Sequence, residues 1–477
     1  MKMSLFSLLN IILLLLFLNT ASCVTEKFFE ISGGPEYMYY FSKFSIGDPA
    51  VEQSAIIDTG SDTLAFPCDH CASNDCGTHQ DPRFITKNST SFKVNMHCQN
   101  RINYHDIQVC KFIRSYAEGS SLIGFLASDF LDFKNSVRTD DARLAKLNQA
   151  MKTDLKLKAL FGCTTKETGL FKTQYADGIL GLDNSSSVIK SMEENEGKDK
   201  TLSFGLCFHE TGGIMSIDIR SRGTEKQKIL NKALKAENLM RIPFSATSSY
   251  YEITVLGIKI KGFNIEPKKR LNAIDMMIDS GTTFSHFPDA YMKSILYQLN
   301  SYCNTKKEYC GNLEHANFNE NSCIELVQPD DDYSNSEELL ASFPDILISL
   351  EGNLDYTLKP KNYFYEILPD NPKDDTKGDA KICIAIKGHE QGRIILGAFA
   401  MIDYYFYFDR ITEEVLIFKE DCKLRTKEIL LLKERILSEK SIPLKNSNTS
   451  AYTLGIGTLL FFACISFKLI KRKKDKL

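Results

Sequence analysis

The stretch AIIDTGSDTLAFP, Ala55–Pro67, has an echo in the second half of the chain, MMIDSGTTFSHFP, Met276–Pro288. Each reads apolar-apolar-Asp-Thr/Ser-Gly-Ser/Thr, and each reaches Phe-Pro at the same offset. Each is followed, about 115–120 residues later, by an apolar-apolar-Gly partner: DGILGL (Asp177–Leu182) and RIILGAF (Arg393–Phe399). One Asp-Thr-Gly tripeptide carries no weight. A duplicated loop with a duplicated partner constrains the chain to two similar lobes, each offering one carboxylate. Two unrelated strand-end turns would explain the Asp and the Gly but not their matched settings.

The duplication has a chemical sense. Adding water to an amide needs a base for the water proton and an acid for the scissile group. Two carboxylates a few Å apart supply both, because they cannot both ionise cheaply and so share a proton. Asp58 and Asp279 are the expected pair. Gly60 and Gly281 let the chain turn tightly and bring backbone N–H groups to the carboxylates. Ser61 and Thr282 can donate hydroxyl hydrogen bonds to the outer carboxylate oxygens. Thr59 and Ser280 can brace one loop against the other.

The ends and the cysteines speak about location. Leu5–Leu18 is almost wholly apolar, follows Lys2 and precedes small residues, as a signal peptide over residues 1–23 would; an uncleaved anchor is the competing reading. Ala451–Ile470 is long and apolar enough to span a bilayer as a transmembrane helix, and KRKK follows within a short tail, 471–477. Basic residues stay cytosolic, so the chain is expected to be a single-pass type I protein with its bulk lumenal. The terminal Lys474–Leu477 would then lie in the cytosol, which discounts it as a lumenal retention signal. Of 14 cysteines, Cys23 and Cys464 fall in these end segments. The other lumenal ones are Cys68, Cys71, Cys76, Cys98, Cys110, Cys163, Cys207, Cys303, Cys310, Cys323, Cys383 and Cys422, an even set suited to disulfides in an oxidising compartment. Zinc at Cys68, Cys71 and Cys76 is the rival reading. Asn88, Asn184 and Asn448 begin glycosylation sequons. A net charge of -3 gives no basic field, so nucleic acid is not expected as a partner.

Between the ends, Glu30 to Cys422 reads as strands rather than long helices, with aromatic and β-branched runs such as YYFYFD bounded by Gly, Pro, Asn and Asp. Ala142–Leu160 is either a helix or a charged surface insertion, and Gln328–Ser342 is an acidic loop with a short helix. Residues 423–450 are dense in charge, with one helix-like run, and read as a stalk.

From Tyr37 to Lys419 the chain resembles the pepsin-like aspartic proteases. Arg114–Phe130 resembles that family's flap (residues 112–127 here), with Tyr116 as the flap tyrosine, and Ile395–Phe418 resembles its C-terminal strands. The resemblance implies an all-β, bilobal fold, with lobes at 24–215 and 216–422. It also implies a Cys323–Cys383 disulfide, through SCIELV and FPDILISLEG, and leaves Cys303–Cys310 as a local pair. Asp58 and Asp279 would activate a water directly, with no acyl-enzyme and no cofactor or metal. The departures narrow the branch. PCDHCASNDCGTH, with Cys98 and Cys110, makes a cysteine-rich insertion over 67–110 that pepsin lacks but the plant nepenthesin-like branch and the apicomplexan plasmepsin V type carry. The membrane anchor favours the latter type, whose members sit in the endoplasmic reticulum and cut secretory proteins after Arg-x-Leu. On that reading Glu118, two residues after the flap tyrosine, faces a substrate guanidinium, and Gln174 assists as an uncharged acceptor. Ala117 stands where a flap cysteine is expected, and the absence of tryptophan removes a residue that braces the flap in some relatives. His70, His79, His97 and His105 are read as surface loop residues. Partners are expected to be polypeptide substrates of the secretory pathway, with the translocation machinery a further one. The alternatives are a broad-specificity acid protease or a silent peptide-binding receptor.

Overall fold

The structure is a computed structural model that describes residues 27–440 apart from 73, 105, 133–156, 198, 222–238, 261–262, 266–272, 306–318, 320–322, 326–339 and 368–380. The expected signal peptide, membrane span and tail, and Cys310 of the expected local pair, lie outside the described residues. Among the described residues no helix is long and apolar enough to cross a membrane.

The half-repeat of the sequence is a repeat of strand register. Val51–Asp58 runs parallel to Gly178–Gly181, with Ala55 opposite Gly178 and Asp58 opposite Gly181. Leu64–Pro67 crosses to the far side of Gly178–Gly181, where it lies antiparallel, and runs parallel to Leu157–Thr168. In the second half Ile274–Ile278 runs parallel to Ile394–Leu396, with Met276 opposite Ile394. Ser285–Pro288 then flanks Ile394–Leu396 antiparallel and runs parallel to Ile386–His389. Ala55 and Met276 each stand three residues before their Asp, so both halves pair in one register. In each half the strand after the Asp crosses over its neighbour, and the Asp loop is left outside the ladder at the strand ends.

Burial explains the apolar runs that lead to each Asp. Gln53 to Asp58 is buried at every position, so both faces of that strand are covered and the pattern is continuous rather than alternating. The same holds for Tyr404–Asp409, YYFYFD, buried throughout. That strand belongs to a sheet that mixes the two ends of the chain. Its order is Met240–Pro243, Glu414–Lys419, Tyr404–Asp409, Lys200–His209, Gly212–Ser221 and Lys27–Gly34. The lobes therefore share a base of strands from both halves.

Two helices were not legible in a pattern read as strands throughout: Ser187–Glu196, capped by Ser186 Oγ accepting from the Ile189 N–H, and Asp289–Thr305. Asp289–Thr305 starts where Phe287-Pro288 ends its strand and buries Tyr291, Met292, Ile295 and Leu299 at helical spacing. Leu157–Leu160, read as part of a helix or surface insertion, instead opens a twelve-residue strand. It pairs with Ser121–Asp132, and Leu157 and Ala159 face the core. The helix-like run of the charged segment lies in a helix, Cys422–Lys440.

Five disulfides are present among the described residues: Cys68–Cys163, Cys71–Cys76, Cys98–Cys110, Cys207–Cys422 and Cys323–Cys383. The three cysteines offered as zinc ligands are thus all committed. Cys68 differs from its neighbours in leaving the insertion, to reach the strand behind the flap.

Candidate active site

Asp58 and Asp279 end equivalent strands and are both buried, at 4% and 9% exposure. Each carboxylate is held in the same way. The Gly60 N–H donates to Asp58 Oδ1 at 2.8 Å, and Ser61 Oγ donates to Asp58 Oδ2. The Gly281 N–H donates to Asp279 Oδ1 at 2.9 Å, and Thr282 Oγ1 donates to Asp279 Oδ2 at 2.7 Å. The Thr282 N–H adds a third bond to Asp279 Oδ1 at 3.2 Å.

The loops are tied to each other by a crossed set of four bonds. The Thr59 N–H donates to Ser280 Oγ at 3.1 Å, and the Ser280 N–H donates to Thr59 Oγ1 at 2.9 Å. Thr59 Oγ1 donates onward to the Ile278 carbonyl, and Ser280 Oγ to the Ile57 carbonyl, each at 2.8 Å. Each hydroxyl therefore reaches the backbone just before the opposite Asp. All four groups are buried, so a lost partner would leave an unsatisfied polar atom.

The glycines do more than turn the chain. A Cβ on Gly60 would lie 2.5 Å from Asp279 Oδ1, and one on Gly281 would lie 2.3 Å from Asp58 Oδ1. Each glycine is the floor on which the opposite carboxylate rests. This cross-lobe approach had no signal in the local sequence. Burial first, and then the facing charge of Asp279, pushes the Asp58 carboxyl well above the usual carboxylate range. A pair in this setting shares one proton.

Over the pair lies a hairpin of Ile107–Ser115 and Ser121–Asp132. Its turn is closed by the Tyr116 N–H bonding the Ser120 carbonyl at 2.9 Å and by the Gly119 N–H bonding the Tyr116 carbonyl at 3.0 Å. Gly119 has φ +93°, which a residue with a Cβ rarely adopts. The Tyr116 ring sits 5.0 Å from that of Phe171. Its hydroxyl is buried beside Ser61, whose own proton goes to Asp58. Burial, then the Asp58 charge, raises the Tyr116 phenol.

Glu118 is exposed at the turn and has no ion-pair partner among the described residues. Gln174 is less available: its amide nitrogen donates to the Ala176 carbonyl at 3.0 Å, and its backbone carbonyl contacts His79 Nδ1 at 3.1 Å. His79 is no surface residue. Its side chain is 3% exposed, and Nε2 lies 2.9 Å from Glu167 Oε2, itself fully buried. Both ring nitrogens face oxygens, a carbonyl and a carboxylate, a setting that favours the protonated ring, and the Glu167 hydrogen bond and charge raise its pKa against the effect of burial. His70 contacts Asp69 at 2.8 Å, and His97 is exposed. His105 lies outside the described residues. Among the described residues no cluster of His, Cys, Asp or Glu has the makings of a metal site. The amide of Asn184, in one of the sequons, donates to the Ser248 carbonyl at 3.1 Å and is thereby engaged within the fold.

Sequence reasoning missed Arg114. From the flap strand its guanidinium forks onto Asp62, Nε to Oδ1 at 3.0 Å and Nη2 to Oδ2 at 3.1 Å. An Arg two positions before the flap tyrosine, and an Asp four after Asp58, were the available signal.

Two lobes that each bring an Asp-Thr/Ser-Gly loop to one buried point, beneath a hairpin bearing a tyrosine, define a class, and the chain belongs to the eukaryotic aspartyl protease family, whose profile matches residues 39–419. Within it the chain is similar to plasmepsin V of Plasmodium falciparum (isolate 3D7), 26% identical over 402 residues, covering 69% of this chain and 64% of that protein. It thus spans a little under two thirds of that relative's length. It is also similar to aspartic protease 5 of Toxoplasma gondii, 28% identical over 203 residues, covering 38% of this chain and 19% of that protein. Aspartyl protease family protein 1 of Arabidopsis thaliana is 25% identical over 458 residues, covering 89% of this chain and 79% of the relative.

Proposed function

We propose that this chain is an aspartic endopeptidase. The observation that carries the reading is the reciprocal seating of Asp58 on Gly281 and of Asp279 on Gly60, which brings two buried carboxylates together; two carboxylates this close share one proton. The member of the pair that holds the shared proton donates it to the carbonyl oxygen of the scissile amide, and the ionised member takes a proton from water as that water adds to the carbonyl carbon. The resulting diol collapses when a proton passes to the leaving nitrogen, the C–N bond breaks, and the pair returns to its single shared proton. The hydroxyls of Ser61 and Thr282 hold the outer oxygens, so the inner ones face the water. Asp58→Asn leaves a single carboxylate, and complete loss of turnover in that variant is expected; residual wild-type activity would end the assignment.

The substrates proposed are polypeptides of the secretory pathway cut after Arg-x-Leu, by an enzyme anchored in the endoplasmic reticulum membrane or another secretory membrane with its catalytic part lumenal. The translocation machinery is a fitting partner in that setting. Similarity to plasmepsin V, five disulfides and the exposed Glu118 carboxylate on the flap support this reading. A side chain at that place can take a guanidinium in bidentate fashion. Paired peptides carrying Arg-x-Leu, Lys-x-Leu or Ala-x-Leu test it. The Arg peptide is expected to be cut preferentially, and Glu118→Ala to erase that preference about tenfold while leaving the Ala peptide unaffected. Equal cleavage of all three by the unaltered chain points to the broad-specificity alternative, and cleavage of none between acid and neutral pH to a peptide-binding receptor.

A further inference from the structure

Phe112, Arg114 and Tyr116 alternate along the flap strand and so share one face. Phe112 on that face packs with Ile56 and Ala65, beside the Asp58 loop. Between Phe112 and Tyr116, Arg114 makes three bonds to the segment just after Asp58: Nε and Nη2 to the two oxygens of Asp62, and Nη2 to Thr63 Oγ1 at 3.2 Å. Thr63 Oγ1 in turn donates to Asp62 Oδ1 at 2.6 Å. The guanidinium carbon lies 5.7 Å from the Phe112 ring centre, which fixes the approach of the fork. The Tyr116 hydroxyl lies beside Ser61 and brings no charge to the loop beneath it. Position 65, in the strand below, holds an alanine that offers the flap no polar partner. The charged, two-bond link from the flap strand to the segment after Asp58 therefore runs through Arg114 and Asp62.

We propose that the Arg114–Asp62 fork is the flap-positioning device of this enzyme, holding the hairpin in register above the aspartate pair. The proposal rests on the endopeptidase reading and adds to it the residues that set how often the flap is closed. Both side chains are partly exposed, at 42% and 36%, so the pair contributes little to global stability. Its effect is geometric: a planar fork with two parallel bonds admits one orientation of the strand, which a lysine ammonium does not impose. A flap that is closed for a smaller fraction of the time lowers apparent affinity by that fraction. Once substrate has closed it, the aspartate pair is unaltered. The signature is thus a rise in KM at constant kcat, opposite to that of a dyad variant.

The test uses the full chain with an Arg-x-Leu peptide, and in parallel amide hydrogen exchange of the free protein. Arg114→Gln, Arg114→Lys and Asp62→Asn are each expected to raise KM about tenfold at unchanged kcat, and the Arg114→Gln, Asp62→Asn double variant no further, because one link is lost in each case. Exchange of the Tyr116 and Gly119 amides is expected to quicken by a similar factor, with the melting temperature unmoved. Wild-type KM and exchange in Arg114→Gln would overturn the proposal. So would an additive double variant, restoration by Arg114→Lys, or a fall in kcat and melting temperature together, which marks a merely structural role. If the unaltered chain cleaves no peptide, the endopeptidase reading fails, and the exchange arm still decides the fork: unchanged flap exchange in Arg114→Gln refutes it.

Discussion

Asp58 carries two opposed demands, one chemical and one thermodynamic. Its folded value is raised, so the stability it contributes is full below its unfolded pKa of about 3.9 and is lost as pH rises through the folded one. Asp58→Asn removes that loss. The variant is expected to be inactive yet more stable than the parent at neutral pH, by roughly 1 kcal/mol, and no more stable in acid. Chemical denaturation at two pH values measures the difference. Gly60→Ala and Gly281→Ala act differently, since the added methyl would press on the opposite carboxylate. Each is expected to lower kcat at least about 100-fold through misplacement of the pair, at a stability cost of about 1–3 kcal/mol. The roles of Ser61, Thr282, Thr59 and Ser280 were readable because a hydroxyl beside a carboxylate in a duplicated setting has few other uses. The contact of each glycine with the opposite Asp was not, because it depends on how two lobes meet, and no local pattern encodes that distance.

At the scale of elements, the flap and the insertion form one connected unit. Strand Ile107–Ser115 pairs with Arg101–Tyr104 on the insertion side and with Ser121–Asp132 on the flap side, and Cys98–Cys110 staples the first pairing. Behind them Glu167 receives the Gly77 N–H at 2.9 Å as well as His79, so the insertion is anchored to the strand that supports the flap. Burial lowers the His79 pKa, but the Glu167 hydrogen bond and charge, with the Gln174 carbonyl, outweigh it and leave a net rise. The stability from this pair is therefore full below the ordinary histidine value of about 6.5 and is lost as pH rises through the elevated folded one. His79→Ala is expected to cost about 3 kcal/mol below that window, because Glu167 stays buried without its partner. Urea midpoints of the two proteins should converge as pH rises through it. The insertion's cysteines were legible as staples, yet their positions alone gave no hint that Cys68 pairs outside the insertion. His79 was misjudged for a related reason: irregular spacing argues against a metal site but says nothing about burial. The helix Asp289–Thr305 escaped notice because it abuts Phe287-Pro288, whose strand pattern dominates the local reading.

On the scale of the whole molecule, the bilobal plan was legible because the repeat is long and its halves pair in one register. The mixed base sheet was not, since nothing in YYFYFD says that its neighbour is Lys200–His209. That sheet is closed covalently by Cys207–Cys422, which spans 215 residues. Removing the bridge by Cys207→Ser with Cys422→Ser is expected to cost about 4 kcal/mol, as a drop in the denaturant midpoint, with dyad chemistry intact in molecules that remain folded. The arrangement also has a temporal meaning. Asp58 leaves the ribosome early, but its partner loop comes more than two hundred residues later, at Ser280. The sheet that seats both lobes is complete only when Glu414–Lys419 and Cys422 have joined strands made near the start. A chain still being made has one carboxylate, half a floor and no closed base. On the endopeptidase reading proposed above, the pair of carboxylates can act only after that base has formed, so activity would wait on strands made long after Asp58.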